Sequence, residues 1–179
     1  IDYPGFNLRI AKYASNDGYR VFYYISPKFW AWNEGRVKKV GKYVDRMYII
    51  FPFEKEFYAK HNIGVEYYGN PLVDEIEKRK SSIPPADDVR RSMGLDNRPV
   101  IAMLAGSRRH EVQSILPPMI RTARHFPGYQ FVLAAVNNLP DEDYYPVIGD
   151  APVKLFRDRT YEILGIAEAA LIKSGTSTL

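Results

Sequence analysis

The 179-residue chain has no cysteine, which excludes disulfide frameworks, thiolate zinc sites, iron–sulfur clusters and cysteine nucleophiles. No apolar stretch approaches the ~18–20 residues that a membrane-spanning helix needs, and the longest, residues 47–53, is interrupted by Pro52. No Gly-x-Gly occurs, so the dinucleotide fingerprint is missing, and neither a G-x-x-x-x-G-K-[ST] loop nor a G-x-S-x-G elbow is present. The histidines His61, His110 and His125 share no metal-ligand spacing, so no metal site and no cofactor is expected. What remains is the composition of an ordinary globular protein, with 46% hydrophobic and 14% aromatic residues. The first residue is Ile1 and residues 174–179 read as the opening of an element, so the stretch is expected to be a piece cut at both ends.

Charge is unevenly spread. The chain carries 25 Lys+Arg against 21 Asp+Glu, a net +4, and residues 28–46 hold the whole excess. Within that segment Lys28, Arg36, Lys38, Lys39, Lys42 and Arg46 outnumber Glu34 and Asp45, while Val37, Val40 and Val44 recur at helical spacing. Phe29, Trp30 and Trp32 lie just upstream, so the pattern describes a basic amphipathic helix beside an aromatic cluster. One reading is a solvated surface helix whose valines meet the core; the other is a face that meets phosphates. No helix-turn-helix, RNP-type strand or zinc-finger signature is present, so nucleic acid is not the expected partner and a phosphate-bearing lipid is the better match.

Strand and helix patterns alternate along the chain. Helices are predicted over 6–15, the basic segment, 53–60, 72–80, 87–93, 111–125 and 160–166. Strands are predicted over 20–25, 45–51, 65–68, 100–104, 129–136, 153–156 and 169–172, with a loop at 137–145. Ser81, Ser82, Pro84 and Pro85 have linker composition, giving a first domain over 1–80, a linker over 81–88 and a second domain over 89–179. Strands separated by helices point to βαβ units, hence an α/β fold of two Rossmann-like, doubly wound parallel-sheet domains, each incomplete.

In such sheets ligands sit beyond the carboxyl ends of strands. After 100–104 come Gly106, Ser107, Arg108 and Arg109, where the glycine lets backbone approach a ligand and Arg108 offers a forked guanidinium to phosphate oxygens. After 169–172 come Ser174, Gly175 and Thr176, a small-residue turn whose amides can hold a second phosphate. Together the two turns suggest a nucleotide diphosphate. At the start, Asp2 is either the cap of the helix that follows or a general base for a hydroxyl nucleophile.

Taken in order, Ile1-Asp2 with Pro4 and Phe6-Asn7, Ser26-Pro27 with Trp30-Ala31-Trp32, Gly35-Arg36 with Lys38-Lys39, and Phe51-Pro52-Phe53-Glu54 with Phe57-Tyr58 form a distinctive series. Gly69-Asn70-Pro71-Leu72, Gly106-Ser107-Arg108 with Glu111, and Ser174-Gly175-Thr176 with Thr178-Leu179 extend it. The series resembles the lipid-A-disaccharide synthase family, glycosyltransferases of the two-domain GT-B type, over essentially the whole chain and about half of a full-length member.

That resemblance implies an inverting transferase of lipid A biosynthesis. It moves 2,3-diacylglucosamine from UDP-2,3-diacylglucosamine to 2,3-diacylglucosamine 1-phosphate, giving the β-1,6-linked disaccharide 1-phosphate and UDP. It implies Asp2 as the base, Arg108 as the stabiliser of the leaving UDP, and Gly106, Ser107, Ser174, Gly175 and Thr176 as the donor-phosphate contacts. It further implies a cytoplasmic enzyme peripherally bound to the inner membrane of a Gram-negative bacterium, with a possible homodimer at full length and no activity in this stretch alone. Trp30, Trp32, Arg36, Lys38, Lys39 and Lys42 are expected to face an anionic membrane surface or the acceptor phosphate. The alternatives are another GT-B transferase acting on a UDP-GlcNAc-type donor, an epimerase of the same fold, or a non-catalytic module binding phosphates or nucleic acid. Four positions depart from the family pattern: Gly5 for an aspartate, Asn70 for a histidine, Ala105 for a proline, and the unexpected charge of Lys173.

Overall fold

The computed structural model describes residues 3–32 and 34–175. The chain divides into two compact units, Ile1–Ile76 and Glu77–Leu179. In the first, helix α1 (Pro4–Asn16) precedes strand β1 (Phe22–Tyr24), which is followed by the short helix α2 (Phe29–Trp32), a 3-10 turn (Glu34–Arg36) and α3 (Val37–Tyr43). β2 (Arg46–Ile49), α4 (Glu54–Ala59), β3 (Val65–Tyr67) and α5 (Pro71–Lys80) follow, α5 running across the division. The strands form a parallel sheet in the order β1-β2-β3, with Tyr23 opposite Met47 and Met47 opposite Val65. Leu8, Tyr23, Phe29, Val37, Val40, Met47, Ile49 and Tyr58 make its core. The basic segment expected as one helix is therefore three pieces. Gly35, a poor helix former, sits where the chain tightens into the 3-10 turn, and α3 ends at Tyr43 because Val44 is already extended.

The second unit holds α6 (Ala86–Ser92), β4 (Val100–Leu104), α7 (Arg109–His125), β5 (Gln130–Ala135), a 3-10 turn (Asp141–Asp143), α8 (Tyr145–Ile148), β6 (Val153–Arg157), α9 (Thr160–Ile166) and β7 (Ala167–Ile172). Its parallel sheet runs β6-β5-β4-β7. Every residue of β5 is buried, which is why that strand reads as a continuous apolar run and not as an alternation. Val112, Leu116 and Ile120 of α7 pack with Met103 and Leu133, while Val89, Ile163 and Ile166 of α6 and α9 pack with Val100, Ala102 and Val132. These are two separate clusters, one for the strand side chains of each parity, so helices cover both faces and the unit is doubly wound. The stretch expected as a loop at 137–145 contains the 3-10 turn and runs into α8.

The order β6-β5-β4-β7 carries the functional consequence. The chain steps outward from β4 to β5 to β6, then returns to the other side of β4 with β7. β5 is reached from β4 through α7 on one face and β7 is entered from α9 on the other, so the carboxyl ends of β4 and β7 mark the topological switch point at which doubly wound sheets bind ligands.

Candidate functional site

Residues 105–108 leave β4 and residues 173–175 leave β7, so the two phosphate-suited turns flank the switch point of the second unit. Backbone bonding fixes them together, Lys173 N donating to Leu104 O at 2.9 Å. Gly106 adopts φ +110°, and a Cβ built there falls 2.6 Å from Glu111 Oε2 and 2.8 Å from Glu111 Cβ. Glycine is needed on both counts, because the carboxylate fills the space under the turn.

Glu111, only 7% exposed, organises the site. Its Oε2 accepts from Ser107 N at 3.0 Å and Arg108 N at 3.3 Å, and its Oε1 accepts from an Arg108 guanidinium nitrogen and from Lys173 Nζ, both at 3.1 Å. It occupies the third position of α7, where an acid reaches back to the helix start. The Lys173 ammonium, then the Ser107 amide, hold its carboxyl down at about 2, against the opposing effect of desolvation. The amides of Ser107 and Arg108 are thus engaged, and an incoming anion would meet the Ser107 hydroxyl and the remaining donors of the Arg108 guanidinium. The Arg108 side chain is largely exposed.

The β5–β6 connection forms the rim. Asn138 Nδ2 donates to Ser107 O at 3.1 Å, Arg109 pairs with the buried Asp143 at 3.0 Å, and Arg157 pairs with Asp141 at 2.6 Å. Tyr144, itself buried, accepts from Val136 N through its hydroxyl at 3.2 Å. These contacts pin residues 136–144 against the carboxyl ends of the strands.

In the first unit the two aromatic-rich motifs meet on a buried carboxylate. Glu54, with no exposure, accepts from the Ser26 hydroxyl at 2.5 Å and the Trp30 indole N–H at 3.3 Å through Oε1, and from Phe51 N at 3.1 Å through Oε2. Ile25 just before Ser26 has φ +64°, an outlier for a β-branched residue that turns the chain out of β1. The Trp30 ring packs edge-on to Phe53 at 5.0 Å, Phe53 stacks on Phe51 at 5.5 Å, and Lys28 Nζ lies over the Phe51 ring at 5.8 Å.

The residues singled out from sequence are thus partly gathered. Gly106, Ser107, Arg108, Ser174 and Gly175 meet at the switch point, whereas Asp2 and Thr176 lie outside the described residues. The N-cap position of α1 falls on Tyr3, which makes no side-chain capping bond, so the structure puts the cap one residue past Asp2. Arg36, Lys38, Lys39 and Lys42 line a groove beside α1, while Trp30 turns to Phe53 and Glu54; Trp32 ends α2. The charge of Lys173, unexpected from sequence, is answered by Glu111. Asn70 caps α5, its Oδ1 accepting from Leu72 N at 3.0 Å, and Ala105 is buried at the end of β4. Sequence reasoning missed the roles of Glu111, Lys173, Asn138 and Glu54. An acid at the third helical position signals Glu111; nothing local signals the others.

Two parallel α/β units, the second doubly wound with paired turns at its switch point, define the GT-B fold class. In keeping with this, the crystal structure of UDP-GlcNAc 2-epimerase from Neisseria meningitidis bound to UDP-GlcNAc matches at a TM-score of 0.64 and 16% identity, over 94% of this chain and 52% of that one. A family model described as lipid-A-disaccharide synthetase matches residues 1–179, and the chain belongs to that family. Lipid-A-disaccharide synthases from Trichlorobacter lovleyi (41% identical), Geobacter metallireducens (38%) and Coxiella burnetii (38%) match over 100% of this chain and 48%, 47% and 48% of their own lengths. The chain spans about half the length of the curated relatives it matches.

Proposed function

We propose that the full-length protein is an inverting glycosyltransferase that joins a diacylglucosamine unit from a UDP carrier to 2,3-diacylglucosamine 1-phosphate. The observation that carries this reading is the pairing of the Gly106–Arg108 and Lys173–Gly175 turns through Glu111 at the switch point. In this reading the second unit takes the donor. Arg108 lies against the donor phosphates and stabilises the charge that develops on UDP as the glycosidic bond breaks. Glu111 holds that arginine and shapes the turn, while Lys173 offsets its negative charge so that the surface offered to phosphate remains positive. Ser107, Ser174, Gly175 and Thr176 complete the phosphate contacts.

The first unit takes the acceptor. Asp2 removes the proton of the attacking hydroxyl, and a single displacement inverts the anomeric centre. The exposed edge formed by Trp30, Phe53 and Lys28 meets the anionic bilayer that holds the acyl chains. No helix among the described residues is long and apolar enough to cross a membrane.

The test is UDP release by the full-length protein from UDP-2,3-diacylglucosamine with 2,3-diacylglucosamine 1-phosphate, comparing wild type with Asp2→Asn and Arg108→Ala. Loss of turnover in Asp2→Asn with donor binding retained, and a kcat lowered about 10²–10³-fold in Arg108→Ala, are the expected results. Full turnover in Asp2→Asn returns Asp2 to a structural role, and absence of wild-type turnover removes the transferase reading.

A further inference from the structure

A groove of about 470 Å³ runs along the seam between α1 and α3 in the first unit. Arg9 and Lys12 of α1 line one side, and Arg36, Lys38, Lys39 and Lys42 the other. Gly5, Leu8, Arg9 and Lys12 follow the i, i+3, i+4, i+7 stripe of one helical face, so the α1 cations converge by construction on those of the 3-10 turn and α3. Leu8 and Tyr43 give the groove apolar wall. Among the described lining residues there is no carboxylate, and Arg9, Lys12, Lys38 and Lys39 have none within ion-pair distance among the described residues. Gly5 contributes no side chain to the groove. Six cations around one concavity repel one another, and an anion bound there relieves that repulsion.

We propose that this groove seats the 1-phosphate of the acceptor, an inference that rests on the transferase reading. The ligand chemistry is a phosphate monoester dianion on a sugar, with the apolar wall beside it. A recess between two helices admits one phosphate group among cations from both sides, whereas a bilayer plane would call for cations spread over a convex face. Chain connectivity agrees with the chemistry. Asp2 stands three residues before Gly5, so the base and the phosphate seat belong to one segment. In a 1,6-linkage the attacking hydroxyl and the 1-phosphate are likewise at opposite ends of one sugar.

The experiment uses the full-length protein in nonionic detergent micelles, which present no anionic surface of their own. UDP release is measured with the acceptor bearing its 1-phosphate and with 2,3-diacylglucosamine lacking it, for wild type and for the double variants Arg9→Ala/Lys12→Ala and Lys38→Ala/Lys39→Ala. Each variant is expected to raise KM for the phosphorylated acceptor about tenfold or more, because charge-assisted hydrogen bonds are lost. KM for the UDP donor and for the dephosphorylated acceptor is expected to stay within about twofold, which also shows that the variants fold. Glucosamine 1-phosphate binding, followed by NMR without donor, is expected in wild type and lost in both variants. An unchanged acceptor KM overturns the proposal, and so does an unchanged KM accompanied by lost affinity for phosphatidylglycerol vesicles, which assigns the cations to the bilayer. Wild-type binding of glucosamine 1-phosphate without turnover on either acceptor removes the transferase reading instead and leaves the groove as an anion site.

Discussion

A carboxylate that accepts from two backbone amides and two cationic side chains is strongly favoured in its charged form, and Glu111 does all four while almost wholly covered. Its acidity is therefore linked to the stability of the turn. The folded value of about 2 lies below the ordinary 4.5, so the unfolded chain takes up this proton first as pH falls. The stabilising contribution is complete above pH 4.5 and is lost progressively toward pH 2. Glu111→Gln keeps an acceptor oxygen but not the charge. In urea unfolding the stability gap between wild type and this variant is expected to narrow from pH 4.5 to 2, and a gap independent of pH would show that the charge plays no part. From the sequence the local half of this arrangement is legible, because an acid at the third helical position is a known capping pattern. The Lys173 half is not, since only the parallel pairing of β4 with β7 brings a residue so distant in the chain to Glu111.

At the scale of elements, the connection from β1 to α2 is held by a strained residue and a buried acid acting in opposite directions. Ile25 at φ +64° costs about 1–3 kcal/mol, and the bonds of Ser26, Trp30 and Phe51 to Glu54 offset it. Ser26→Ala is expected to lower stability by about 1–3 kcal/mol, since it strips one donor from a fully buried carboxylate. Urea unfolding checks this, and a change within about 0.5 kcal/mol would show that Glu54 is satisfied without Ser26. The alternation of strands and helices was readable because buried parallel strands are nearly all apolar, as in β5. Boundaries were less so. β1 is only Phe22–Tyr24, with exposed aromatic rings on either side of Tyr23, so its apolar run overstated the paired length. The end of α3 at Tyr43 was hidden because Val37, Val40 and Val44 keep helical spacing past it, and the break at Glu34–Arg36 is signalled only by Gly35.

At the scale of the whole molecule, the net charge of +4 arises in residues 28–46, whose cations fall in two places. Arg36, Lys38, Lys39 and Lys42 turn into the groove, whereas Lys28 stays with the exposed aromatic edge of Trp30 (40% exposed) and Phe53 (49% exposed). Trp30→Ala combined with Phe53→Ala is expected to weaken binding of the full-length protein to phosphatidylglycerol vesicles about tenfold, through lost apolar insertion. Co-sedimentation measures it, and undiminished binding would move the membrane contact elsewhere.

The short helix α2 has an optical consequence. Both tryptophans of the chain, Trp30 and Trp32, lie in it, so indole emission of this stretch originates in the first unit alone. The second unit, with tyrosines such as Tyr129, Tyr144, Tyr145 and Tyr161 and no indole, contributes only at shorter wavelengths. Selective excitation at the red edge therefore reports on α2 and, through the Trp30 indole N–H that donates to it, on Glu54, without exciting the tyrosines of the second unit.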